Sequence, residues 1–291
     1  MSDNIYYDGM KWTLISIHFL TICSFFILNK VNIKTIIFQI ILTIFSMLTI
    51  TGGYHRLWSH KSYEAGKYLQ YFYAFFGIVA SQKSAIWWVK AHRTHHRNEE
   101  APGDPYNINK GFYNAHIGWL IHGNDKIEKE EIYKTDVNDL EKNDILLIQN
   151  NYYTELWIFI FILCVILPIL FWNEKYLNSL FINFFRIIIV WHMTYSVNSF
   201  AHYIGDKPYN SKLKACENLL VSIITFGEGW HNYHHSYPKD YRASEKNKFN
   251  PTTWFINLTK YFGLSSNHYI KDKKYIPNSE RFNLDYYKLL S

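Results

Sequence analysis

Nine of the chain's 14 histidines fall into a pattern whose chemistry is metal binding. Three boxes hold eight of them: His55-Arg-Leu-Trp-Ser-His60, His92-Arg-Thr-His95-His96 and His231-Asn-Tyr-His234-His235. The ninth, His202, closes Asn198-Ser-Phe-Ala-His202. On a helix His92 and His96 project from one face, as do His231 and His235, because each pair is four residues apart. His95 and His234 stand about 100° round from their C-terminal neighbours, so each box can reach a second ion. Neutral imidazole suits iron, copper, zinc or nickel. Nine imidazoles exceed one ion's capacity and match two ions of four or five ligands each. Carboxylates are scarce in the boxes, unlike the Glu-rich pattern of soluble di-iron bundles. His18, His116, His122, His192 and His268 lie outside the pattern and read as ordinary core or surface residues.

The elements that must position these boxes are apolar and long. Four segments approach the roughly 20 residues a membrane span needs: 12–28, 35–54, 156–172 and 176–200. They predict an all-α integral membrane protein with four transmembrane helices in two hairpins. The mean hydropathy of −0.17 does not oppose this, because polar connections dilute the apolar runs. Arg186 lies inside the fourth span, costly in lipid unless it faces protein. A fifth stretch, Tyr68 to Val89, is broken by Gln82 and Lys83 and reads as an interfacial or protein-buried helix. The charged stretch 125–151 reads as a solvated helical connector.

Lysine and arginine set the orientation. The short connections hold Lys30, Lys34 and Lys175, whereas 56–150 and 201–291 hold 12 and 13 basic residues. The positive-inside bias puts both segments, both termini and all nine histidines on the cytosolic side. Three cysteines without a CxxC pair exclude a disulfide scaffold or thiolate zinc finger. The net charge of +6 hints at acidic partners or anionic lipid, and no nucleic-acid partner is expected. A metal transporter is a rival from another class. Transport sites, however, usually lie near the bilayer midplane in broken helices, and these histidines lie at span ends.

HRLWSH, HRTHH, NSFAH and GEGWHNYHH closely resemble the motifs of membrane acyl-CoA desaturases, the stearoyl-CoA (delta-9) desaturase family. The similarity runs in order from about Gly52 to Arg242. It implies one fatty acid desaturase domain over 1–291, a four-helix stem with a cytosolic helical cap from 55–151 and 201–291. It also implies two ferrous ions held by His55, His60, His92, His95, His96, His202, His231, His234 and His235. Asn198 would complete the second site through a water. The resemblance lines the bend of an acyl tunnel with Gln82, Trp88 and Thr194, and sets Lys90 toward the coenzyme A phosphates. Tyr195 stands where the family commonly has Trp, and Lys83 where a polar amide is usual.

Groups that orient the imidazoles should be carboxylates or carbonyls, and Glu100, Asp104 and Glu228 are nearest in sequence. Residues four, eight and twelve before His55 on an α-helix are Thr51, Met47 and Thr43. Met47 would then lie about 12 Å below His55, as a tunnel floor that favours palmitoyl over stearoyl chains. No His-Pro-Gly-Gly haem motif follows the third box, so a separate electron donor is expected. Lys239, Arg242, Lys246 and Lys248 read as a basic docking surface for it.

The expected function is therefore a fatty acyl-CoA delta-9 desaturase of the endoplasmic reticulum membrane. It would use O2 and electrons from cytochrome b5, reduced by its NADH-dependent reductase. An acyl-lipid desaturase or a hydroxylase of the same di-iron type is the nearest alternative, and a non-catalytic histidine-rich metal carrier a remoter one.

Overall fold

Isoleucines at 33, 36, 37, 40, 41 and 44 form an exposed stripe along one helix, while Thr35, Gln39 and Ser46 are buried on its other side. That inverted amphipathicity suits a helix with lipid outside and protein within. The computed structural model describes residues 2–26 and 31–271. This helix is α2 (Ile33–Leu48), continued by a π-helix over Thr49–Ser59. Two others share its character, α9 (Tyr153–Trp172) and α10 (Tyr176–Ser199). Among the described residues, three helical segments are long and apolar enough to cross a membrane: Ile33–Ser59, Tyr153–Trp172 and Tyr176–His202. The chain is a membrane protein. The N-terminal helix α1 (Ser2–Ser24) packs along α10 and is not one of the three. The expected first span, 12–28, ends outside the described residues.

Glu174, in the α9–α10 turn, fastens that hairpin to α2. Its carboxylate accepts from Asn32 N at 2.8 Å, Thr35 Oγ1 at 2.5 Å and Asn178 Nδ2 at 3.0 Å. Arg186 is 3% exposed and faces protein. Its Nη1 donates to Val79 O at 2.9 Å, and Nε and Nη2 donate to Asn183 Oδ1. Val79 ends α3, so the guanidinium fills one of the carbonyls a helix end leaves unpaired.

The aromatic stretch is two helices rather than one, α3 (Lys67–Val79) and α4 (Ala85–Arg97). Ser-Gln-Lys-Ser supplies the break: Ser84 caps α4 by accepting from Trp87 N, and Ser81 and Lys83 take left-handed backbone. After a short helix α5 (Trp119–His122), the stretch 125–151 folds as α6 (Lys126–Lys134), α7 (Asn138–Glu141) and α8 (Asp144–Asn151). The expectation of a merely solvated connector fails at α8, where Leu146 is fully buried. Gln149 there donates to Tyr54 OH at 2.9 Å and Ala74 O at 2.7 Å, and accepts from Ala85 N. One amide thus joins three helices. Downstream come α11 (Leu219–Ile224), α12 (His231–Ser236) and α13 (Pro251–Tyr261). A two-residue antiparallel pair, β1 (Glu64–Ala65) with β2 (Ser265–Ser266), ties the chain beyond α13 to the turn after the π-helix. Helices α3, α4 and α13 surround that π-helix.

Candidate metal centre

The first box sits on the π-helix, which explains its spacing. His60 N donates to His55 O at 3.1 Å, an i→i+5 bond, so HxxxxH stacks its histidines as HxxxH does on an α-helix. The α-helical spacing expected through Tyr54 therefore stops at Leu48. Thr51 and Met47 do border a cavity with His55, whereas Thr43 does not and donates instead to Gln39 O. Gly53 admits α3 close to this helix: a Cβ there would meet the Tyr73 ring at 2.6 Å.

All nine histidines of the pattern are at least nine-tenths buried. They form two groups: His55, His60, His92, His96 and His234, and His95, His202, His231 and His235. Within each group one ring nitrogen per residue lies within 4.8 Å of the others. In the first, Nε2 to Nε2 separations are 2.9 Å for His55–His234 and His60–His92, and 3.2 Å for His96–His234. In the second they are 3.0 Å for both His202–His231 and His231–His235, and His95 Nε2 is buried without a partner. The four-residue pairs on α4 and α12 fall in opposite groups, and the intervening His95 and His234 cross over.

Outward contacts set the tautomers. His95 Nδ1 lies 2.9 Å from Asp104 Oδ1 and His92 Nδ1 lies 3.1 Å from Tyr106 OH. His55 Nδ1 stands 2.7 Å from Glu228 Oε2 and His235 Nδ1 2.9 Å from Glu99 Oε1. An oxygen acceptor facing Nδ1 favours the tautomer with its proton there, which leaves the Nε2 lone pair facing inward. Lone pairs converging this tightly repel one another without a cation between them, so both groups fit a metal ion. Glu99 and Tyr106 are absent from the sequence-derived set. Glu100, which is in it, turns its carboxylate to the Lys214 N–H, although it also comes within 4.8 Å of a His202 nitrogen.

Glu228 is the most heavily engaged of these groups. Burial would raise its carboxyl, but Arg56 and then His55 hold it down to about 2. Arg56, 1% exposed, donates to Glu228 Oε1 at 2.6 and 3.1 Å, to Thr253 Oγ1 at 2.9 Å, to Tyr241 O at 3.1 Å and to Asn250 Oδ1 at 3.2 Å. The Arg that follows the first histidine thus anchors the anion that orients it.

Burial, then the neighbouring imidazoles, holds His60, His92, His96, His231, His234 and His235 well below the ordinary histidine value. Metal-stripped protein should therefore lose stability as pH falls through about 6.5, where the unfolded chain takes up protons that the folded one refuses. A melting temperature that stays level from about pH 8 to pH 5 would contradict this.

Two apolar cavities meet beside these groups. One is walled by Leu14 of α1, by Trp119 and Leu120 of α5, and by Trp191 and Tyr195 of α10. The other is lined by His55, His95, His231 and Met47. Trp88, His92, Thr194 and Asn198 border both. Gln82 bridges this junction, donating from Nε2 to Thr194 Oγ1 at 2.7 Å and accepting from Trp88 Nε1 at 3.3 Å. The left-handed Ser81 and Lys83 on either side of Gln82 set its direction. Lys90 borders neither cavity, its Nζ lying 5.7 Å from the Tyr133 ring centre. In the basic run after the third box, Arg242 pairs with Asp240 at 2.5 Å and Lys248 lies over the Trp230 ring.

Membrane helices that deliver two buried all-histidine groups to adjoining apolar cavities define a class, the membrane proteins of histidine-box type. The sequence matches the family described as Fatty acid desaturase over residues 34–242. It is 39% identical over 239 residues to the probable acyl-CoA desaturase of Schizosaccharomyces pombe, a match covering 80% of this chain and 49% of that protein. With the Delta(9)-fatty-acid desaturase fat-7 of Caenorhabditis elegans it shares 39% over 234 residues, covering 79% and 69%. With stearoyl-CoA desaturase of Homo sapiens it shares 41% over 219 residues, covering 75% and 59%. The chain thus spans about half the length of the yeast relative and somewhat more of the other two. The chain belongs to the fatty acid desaturase family.

Proposed function

We propose that this protein is an acyl-CoA delta-9 desaturase, which places a cis double bond in a saturated acyl chain such as palmitoyl or stearoyl. The observation that carries the reading is the junction of two apolar cavities at Trp88, His92, Thr194 and Asn198, beside both histidine groups. The names of the relatives support the substrate class.

In this reading His55, His60, His92, His96 and His234 hold one ferrous ion, and His95, His202, His231 and His235 hold the other. Asn198 completes the second set through a water. When bound, the irons supply the O2-dependent oxidation that an unactivated methylene requires and that no side-chain acid or base can perform. The residues of the chain do the positioning. Gln82, Trp88 and Thr194 satisfy one another, so the bend presents an acyl chain with no polar group in search of a partner. The Trp88 ring stacks on His92, centres 5.0 Å apart, and so fixes a wall of the bend and a ligand together. Asp104, Glu99, Tyr106 and Glu228 keep the imidazoles aimed. Lys90 faces the coenzyme A phosphates once the Tyr133 contact is released.

The same reading makes 12–28 the first of four spans and 1–291 one domain, in the endoplasmic reticulum with the site and termini cytosolic. Electrons come from cytochrome b5 and its NADH-dependent reductase. Expression in a desaturase-deficient yeast with mass-spectrometric analysis of the lipids tests it. A palmitoleoyl or oleoyl product is expected, and no alkene, or one displaced from carbon nine, would overturn it.

Met47, 1% exposed and lining the same cavity as His55, sets chain length. Met47→Ala should move the product ratio toward the eighteen-carbon alkene by opening space for about two methylenes, each worth roughly 0.8 kcal/mol when buried. An unchanged or reversed ratio would mean that Met47 is not the floor.

A further inference from the structure

Behind the third histidine box three tyrosine rings surround a single ammonium group. Lys271 Nζ lies 4.0 Å from the ring centre of Tyr237, 4.5 Å from Tyr233 and 5.3 Å from Tyr209. The rings pack on one another, with Tyr209 5.1 Å from Tyr233 and Tyr233 5.0 Å from Tyr237. Glu245 Oε1, 3.2 Å from the Nζ, is its charged partner. Three π-faces around one cation make an aromatic cage, the arrangement by which proteins grip quaternary ammonium ions. Here the chain fills its own cage.

The position of the cage gives it a consequence. Tyr233 lies within α12 between His231 and His234, and Tyr237 is the residue at which that six-residue helix ends. So short a helix has little stability of its own, and its orientation must come from what packs behind it. Asp240 is the other half of the support. It is 1% exposed and accepts from Tyr233 OH at 2.9 Å, from Lys271 N at 3.1 Å and from Arg242. Lys271 thus reaches α12 directly through its ammonium in the cage and indirectly through its backbone N–H at Asp240, which Tyr233 OH also meets. The Tyr269 N–H, two residues earlier, donates to Ser62 O just past the first box. The segment 269–271 therefore straps the back of the third box to the base of the first.

We infer that Lys271 is a positioning residue, which holds His231, His234 and His235 in register with the other boxes by seating a cation in the cage of Tyr209, Tyr233 and Tyr237. The inference rests on the reading of the nine histidines as iron ligands. Its own content is that a positive charge in the cage, and not merely packed volume there, keeps the third box in place.

The test measures release of ferrous iron to a chelator from detergent-solubilised, iron-loaded protein, alongside melting temperature. Lys271→Gln should release iron about tenfold faster than wild type, whereas Lys271→Arg should stay near the wild-type rate because it keeps the cation. Lys271→Ala leaves a cage without its cation, and millimolar tetramethylammonium should slow release again. Neutral tert-butanol, of similar shape, should not. Equal release rates for wild type and Lys271→Gln would overturn the inference, as would equal rescue by the neutral compound. Wild-type protein that binds no iron would instead overturn the metal reading beneath it.

Discussion

Alanine at His96 or at His235 should abolish desaturation while the protein still inserts in membranes. Each is half of a four-residue pair, His96 in the five-histidine group and His235 in the four-histidine group. Changes to groups that merely orient ligands already cost 10–100-fold, so loss of a ligand should exceed about a hundredfold. The two variants should differ in one respect. His96→Ala should lose iron from the first group and His235→Ala from the second, each retaining about one ion of the two. Product above a marginal level, or two irons still bound, would remove that residue from the ligand set.

Removal of Arg56 should have the largest effect on stability. Its guanidinium is buried against Glu228 and has five hydrogen bonds to four residues around it. Arg56→Leu would leave the Glu228 carboxylate buried with only His55 facing it, and loss of one partner of a buried pair costs about 3–5 kcal/mol. The variant should express poorly, and its melting temperature should drop by several degrees or more. Adding Glu228→Gln removes the orphaned charge, so the double variant should regain part of the stability. It should not regain activity, since His55 has lost its anion. Arg56→Leu melting level with wild type would show that the network carries little of the fold.

The sequence exposes most plainly what obeys a simple period. The crossing of His95 and His234 between groups follows from 3.6 residues per turn, because α4 and α12 are α-helices. Three of the four apolar runs form segments long enough to span. The π-helix escaped, since i→i+5 bonding is rare and the apolar run through Tyr54 looks the same either way. The Gly52-Gly53 pair and the five-residue gap from His55 to His60 were the available signs. Sequence proximity found Asp104 and Glu228 but singled out Glu100 where Glu99 faces His235. Adjacent residues diverge after a helix end, and Glu100 takes left-handed backbone there (φ 61°). Arg186 could be explained only once α3 had brought Val79 O to it.

Neither histidine group is local in the chain. The first needs His55 and also His234, and the second needs His95 and also His235. During synthesis the ribosome therefore makes α2, α9, α10 and the α3–α4 platform before either set of ligands exists in full. The helices that carry four ligands of the first group, His55, His60, His92 and His96, are therefore made before His234 can join them. In the di-iron reading, loading of the metals is then a late event in the life of each molecule, after about four-fifths of these 291 residues have been translated. On that reading a cell short of iron would hold inserted apoprotein, a store that could be loaded with metal without new translation.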